Sequence, residues 1–91
     1  MSLTSAQISD IVNDNKTSER DTGSPEVQVS LLTARIIYLT DHFKEHRKDV
    51  HSRRGLLTLV NKRKKLLKYL KQEESARYYS LIGKLNLRDS Y

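Results

Sequence analysis

The chain is predicted to be all-α: four helices, one short and N-terminal, two long, and one short and C-terminal, packed as a small bundle. Three observations lead there. Apolar residues recur at intervals of three and four through 27–43 and, interrupted by Arg63, through 56–70, the spacing that lines one face of a helix. No stretch of useful length alternates apolar and polar residues as a half-buried strand does, and no internal repeat is visible. Helix-start chemistry stands at three of the four segments.

Thr4 and Gln7 have the spacing of a capping box, and Leu3 and Ile8 sit where a hydrophobic staple closes around it. A short helix should follow to about Asn13 or Asp14. The next segment, NDNKTSERDTG, is polar, ends in Gly23 and reads as a flexible connection. Ser24 and Pro25 announce the second helix, because proline tolerates the first helical position, where its missing donor is not needed. On that helix Val29, Leu32, Ile36, Leu39 and Phe43 fall within about 80° and form the core face. Val27, Leu31, Ala34 and Tyr38 make a second apolar strip nearly opposite, so more than one neighbour is expected. Between the strips, Gln28, Arg35, His42 and His46 share an arc of about 40°, a polar seam suited to a polar ligand.

A turn around Lys48 and Asp49 precedes the third helix, with Asp49 or Ser52 as its cap. Gly55 then lies in its first turns, at a cost of about 1 kcal/mol relative to Ala, and is expected to permit close approach. Leu59, Val60, Leu66, Leu67 and Leu70 cluster on about 120° of the wheel. Lys62, Lys64, Lys65, Lys68, Tyr69, Lys71 and Arg54 take roughly the opposite 180°. Arg63 falls inside the apolar arc, where its stem is expected to lie along the core with the guanidinium reaching out. A break near Glu74 and Ser75 separates a last helix through Ala76, Tyr79, Ile82 and Leu85, interrupted by Gly83.

Residues 1–91 are expected to form a single domain, with 1–23 an N-terminal helix and its connecting loop. The chain has Cys 0, so it has no disulfide framework and no thiolate metal site. That suits a reducing interior, and the cytoplasm is the expected compartment. The start MSLTSAQISD has neither a basic n-region nor an apolar h-region, and no stretch approaches the roughly 20 apolar residues of a membrane span.

Charge is placed rather than spread. Between Lys44 and Lys71 stand eleven basic residues against two acids, a local excess of nine, whereas the whole chain carries +6. Such a segment attracts a polyanion and holds it by releasing counterions from its phosphates. A solvated face normally mixes the two signs, and this one has almost no acids interspersed. Tyr69 among lysines suits stacking on an unpaired base; the other reading is an edge-of-core tyrosine.

His42 and His46 stand one turn apart with Asp49 near the same line, which raises an H-x-x-x-H metal pair, but no third ligand is placed. We therefore assign no metal and no cofactor. His, Asp and Ser at a helical corner instead offer donors and acceptors to base edges and to the 2′-hydroxyls of a shallow RNA minor groove. Asp49 has two readings, an acceptor from such groups or a helix cap. No nucleophilic Cys, Gly-rich phosphate loop or apolar carboxylate pair is present, so no enzyme is expected. A duplex-DNA module using the third helix and a protein-interaction adaptor are the rivals; the first would want a dimer seam and the second an apolar exposed strip.

The run HRKDVHSRRGLL, with DTGSPEVQ, LLTARI, LLKYLK and RYYSLI at matching spacing, resembles the bacterial small-subunit ribosomal protein fifteen family over essentially the whole length. The resemblance implies a four-helix protein of the ribosome that binds small-subunit rRNA early in assembly. It bridges RNA helices at a three-way junction so that platform proteins can follow, contributes to an intersubunit bridge with large-subunit rRNA, and is monomeric when free. It implies that Thr22, Gly23, Gln28, Arg35 and Tyr69 meet the junction, and that His42, His46, Asp49 and Ser52 meet the minor groove of an adjoining helix. Arg54, Lys64, Lys65 and Lys68 are assigned to phosphates by charge and face alone. Val50 stands where the family commonly has a second His, so any contact made by that imidazole is absent, and position 35 varies between Arg and Gln.

Overall fold

A computed structural model describes residues 3–15 and 23–91. Among them lie four helices and no strand: α1 (Ser5–Asn15), α2 (Pro25–His42), α3 (Val50–Glu73) and α4 (Ser75–Leu85). α2 packs along α3, α4 folds back on α3, and α1 lies on α2. At about 1.5 Å per residue α3 is roughly 36 Å long, which sets the longest dimension of the molecule, 39 Å. The expected connection falls largely on residues 16–22, which lie outside the described residues, as does Thr22.

Local chemistry explains the boundaries. The capping box forms: Thr4 N donates to Gln7 Oε1 at 2.8 Å and Gln7 N to Thr4 Oγ1 at 3.2 Å. α1 then runs to Asn15, slightly past the expected end. Ser24 Oγ accepts from Val27 N at 3.3 Å, with Pro25 in the first turn. Glu26 in that turn, favourably placed for the helix dipole, takes a forked pair of bonds from Arg77 at 2.6 and 2.5 Å, fastening α4 to the start of α2. α4 ends at Asn86, the left-handed residue at φ 55°. Leu87 N donates back to Ile82 O at 2.9 Å and Asn86 N to Gly83 O at 3.4 Å, a Schellman closure.

The core sits at one end of the α2–α3 pair. Val29, Leu67, Leu70, Tyr78, Leu81 and Ile82 form its cluster, with Leu66, Leu85, Leu87 and Tyr91 packed against it. The second strip of α2 also meets neighbours: Val27 is fully buried, while Tyr38 remains exposed. Both α1 and α4 touch α2, as two apolar strips require.

Four expectations need correction. On α4 it is Tyr78 that is buried, whereas Tyr79 is exposed. Lys71 leaves the basic face: its Nζ donates to Asp89 Oδ1 at 3.1 Å and to Tyr91 O at 2.9 Å, and lies 5.3 Å from the Tyr78 ring centre. The Tyr78 hydroxyl donates to the same Asp89 oxygen at 2.6 Å, and burial followed by that bond pushes the phenol up to about 12. Arg63 does not reach out; its Nη1 donates to Thr33 Oγ1 at 3.3 Å across the α2–α3 seam, and its buried Nε has no hydrogen-bond partner among the described residues. Gly55 admits no packing neighbour, for no described atom lies within 4 Å of where a Cβ would stand.

Candidate nucleic-acid interface

α2 and α3 run antiparallel, and the Arg63–Thr33 bond fixes their register. Gln28 therefore lies level with Lys68 and Tyr69, while the opposite end of the pair turns through 43–49. Gln28 and His42 are separated by roughly 21 Å along the helix and by about 40° around it. Gln28, Arg35 and His42 thus stand along one face of α2, with about two turns between each and the next.

At the turn, the polar groups are held by one carboxylate. Asp49 is the N-cap of α3, its side chain accepting from Ser52 N. That bond, to Oδ1, is 3.1 Å; Oδ2 accepts from Ser52 Oγ at 2.6 Å and from His42 Nε2 at 3.1 Å. The Ser52 bonds, then the His42 bond, hold the Asp49 carboxyl well below the usual carboxylate range. Of the two readings of Asp49, the cap is present, and the same carboxylate orients two further residues. A carboxylate only accepts, so His42 Nε2 carries its proton towards Asp49, leaving Nδ1 as an acceptor in the neutral ring. Ser52 Oγ spends its proton on Asp49 and keeps lone pairs. The corner thus presents acceptors in fixed positions, matched to 2′-hydroxyl and guanine-amino donors.

α2 ends at His42, so His46 belongs to the turn rather than to the helix. Its N–H nevertheless donates to His42 O at 3.1 Å, prolonging the helical path by one turn. The two imidazoles stack with centres 4.4 Å apart and planes 22° from parallel. Arg53 Nη2 donates to Arg47 O at 2.8 Å and braces the same turn. Sequence spacing could not separate Arg53 from its neighbour Arg54, whose side chain stays outward.

At the far end, Gln28 Nε2 donates to Gly23 O at 2.6 Å, tying the loop to α2. Tyr69 is 55% exposed, which removes the edge-of-core reading. Arg35, Arg54, Lys64, Lys65 and Lys68 are all exposed. Internal partners claim Arg53, Arg63 and Lys71, so the outward charge of α3 rests on the residues assigned to phosphates and on Lys62. Among the described residues no group of three or more His, Cys, Asp or Glu is placed to hold a metal, and no helix is long and apolar enough to cross a membrane.

A thin helical bundle with a cationic helix face and a corner of hydrogen-bonded polar side chains has the features of a small RNA-binding protein. The family model of ribosomal protein S15 matches residues 8–88 of the 91, and the chain belongs to that family. It is a small-subunit ribosomal protein that binds rRNA, a structural component of the ribosome.

Proposed function

We propose that this protein clamps two parts of one small-subunit rRNA in a fixed relation at a three-way junction. Thr22, Gly23, Gln28, Arg35 and Tyr69 take the junction, and His42, His46, Asp49 and Ser52 take the minor groove of an adjoining helix. Arg54, Lys64, Lys65 and Lys68 neutralise phosphates. The observation that carries this reading is the His42–Asp49–Ser52 network at one end of the cationic pair of helices, with the Gln28–Gly23 bond at the other, roughly 21 Å along α2. Hydrogen bonds already formed in the free protein lower the ordering cost of binding. The junction conformation, sparsely populated alone, is stabilised by differential contact with the protein.

On this reading the whole chain acts as one monomeric domain in the cytoplasm, nucleates platform assembly through shared RNA, and touches large-subunit rRNA when the subunits join. The test is a binding series with a three-way-junction fragment of small-subunit rRNA and a plain duplex RNA at matched salt. His42→Ala should weaken junction binding by about tenfold, the upper range of one ordinary hydrogen bond, and leave duplex binding unchanged. Equal losses on both RNAs would remove the corner from selective recognition.

A further inference from the structure

Gly55 is the sixth residue of α3, with ordinary negative φ and nothing packed against it. The helix therefore carries the cost of a glycine that neither backbone conformation nor an internal neighbour explains. The space beside it is a cavity of about 430 Å³ between α2, α3 and the residue that leads into α1, within the range of small-ligand sites. Half-buried Leu39 and Leu59 lie at its base, and exposed Arg35, Tyr38 and Thr58 share its wall with Gly55. Thr58 Oγ1 donates to Arg54 O at 3.0 Å, so toward the cavity its oxygen can only accept.

We propose that this cavity receives one unpaired nucleobase of the bound RNA, stacked on Tyr38 and passing over Gly55. The inference rests on the RNA clamp described above and adds a third site to it. Continuity argues for this occupant: Arg35 belongs both to the cavity and to the Gln28–His42 seam, about 10 Å from either end. Charge argues the same way, because the lining includes a guanidinium and no carboxylate. The larger neighbouring cavity, about 720 Å³ against α1, is lined by Asp10 and by Asp41, which pairs with Lys44 at 3.2 Å, so its net charge is negative and suits a polyanion less well. An aromatic ring, apolar walls and one hydroxyl acceptor are what an extruded base needs, since stacking supplies affinity and the acceptor meets an edge N–H. A missing side chain at position 55 lets the base plane approach the helix.

Gly55→Leu fills the cavity from an exposed helical position, and Gly55→Ala is the mild version. Gly55→Ala should raise the Tm by about 4–8 °C, because it only removes the glycine cost. Gly55→Leu should weaken binding to the three-way-junction RNA by about five- to 150-fold, the range of a lost base–aromatic stack, with duplex binding unchanged. Among RNAs carrying single abasic substitutions at the unpaired junction nucleotides, one should bind wild type and Gly55→Leu equally. Unchanged junction binding by Gly55→Leu, or additive losses at every abasic position, overturns the base pocket while leaving the clamp intact. A fall in Tm for Gly55→Ala would show that the chain itself fills the space, and self-association of wild type lost in Gly55→Leu would assign it to a second copy; either overturns the proposal. Wild type that does not prefer junction over duplex overturns the clamp itself.

Discussion

The two ends of the α2–α3 pair are built on opposite principles. At the α4 end, Val29, Leu67, Leu70, Tyr78, Leu81 and Ile82 exclude water. At the turn end no side chain from His42 to Ser52 is fully buried, and Asp49 holds its neighbours through hydrogen bonds. A chain of this size supports one hydrophobic core. Confining it to one end leaves the other free to keep polar groups unburied yet oriented, so stability and recognition are separated along the same two helices. Removing residues from each end in turn should therefore move different measurements.

The largest effect should come from the core end. Leu67 is fully buried at the centre of the cluster, and Leu67→Ala should cost about 2–5 kcal/mol through lost transfer energy and the cavity left behind. Urea unfolding followed by circular dichroism measures it. Once corrected for the folded fraction, junction affinity should match wild type. A selective loss of junction over duplex binding in this variant would mean that the two ends are not independent.

At the turn end the balance should reverse. Asp49→Ala releases His42 and Ser52 together, and junction affinity should fall by about tenfold or more, as for lost hydrogen bonds to a charged group, with duplex binding spared. Its stability effect should depend on pH in a definite direction. The carboxyl is held below its usual range in the folded protein, whereas the unfolded chain protonates it near the ordinary value of about 3.9. The unfolded state thus binds the proton first on acidification. The contribution of Asp49 is complete above about pH 5 and is lost as the pH falls through the folded-state value. Urea midpoints of wild type and Asp49→Ala should therefore differ at pH 6 and draw together progressively as the pH falls further and further below 4. A constant difference across that range would show that the carboxylate contributes no ionisation-dependent stability.

The same contrast governs what could be read from residues alone. The helix starts were legible because their causes are local: Thr4 with Gln7, Ser24 before Pro25, and Asp49 or Ser52 at the start of α3, of which Asp49 is the cap, each act within three residues. The seam of Gln28, Arg35 and His42 was legible because helical geometry fixes it. Contacts between distant residues were not. Lys71 reads as one more basic residue until the chain returns Asp89 and Tyr91 to it, and Arg63 reads as outward until Thr33 is placed opposite. Tyr78 and Tyr79 are neighbours of like composition, and only the direction from which α3 approaches α4 decides which is buried. Asp49 was readable as a cap or as a ligand contact; the cap is what the geometry shows, and the same carboxylate holds His42 and Ser52 in place.

The smallest effect should separate charge from shape within the interface. Lys65 is exposed on α3 and makes no side-chain bond among the described residues, so Lys65→Ala should leave stability unchanged within about 0.5 kcal/mol. Its RNA effect is a change of slope. Each phosphate contact contributes about 0.7–0.9 to the dependence of log affinity on log salt, because one contact releases its condensed counterions. Titrations over a range of salt should show that slope reduced by about this amount on junction and duplex RNA alike, since phosphate contacts carry no sequence information. Asp49→Ala should leave the slope unreduced, because it removes positioning without removing a cation. If Lys65→Ala leaves the slope unaltered, Lys65 faces solvent in the complex and the cationic path must run through Arg54, Lys64 and Lys68.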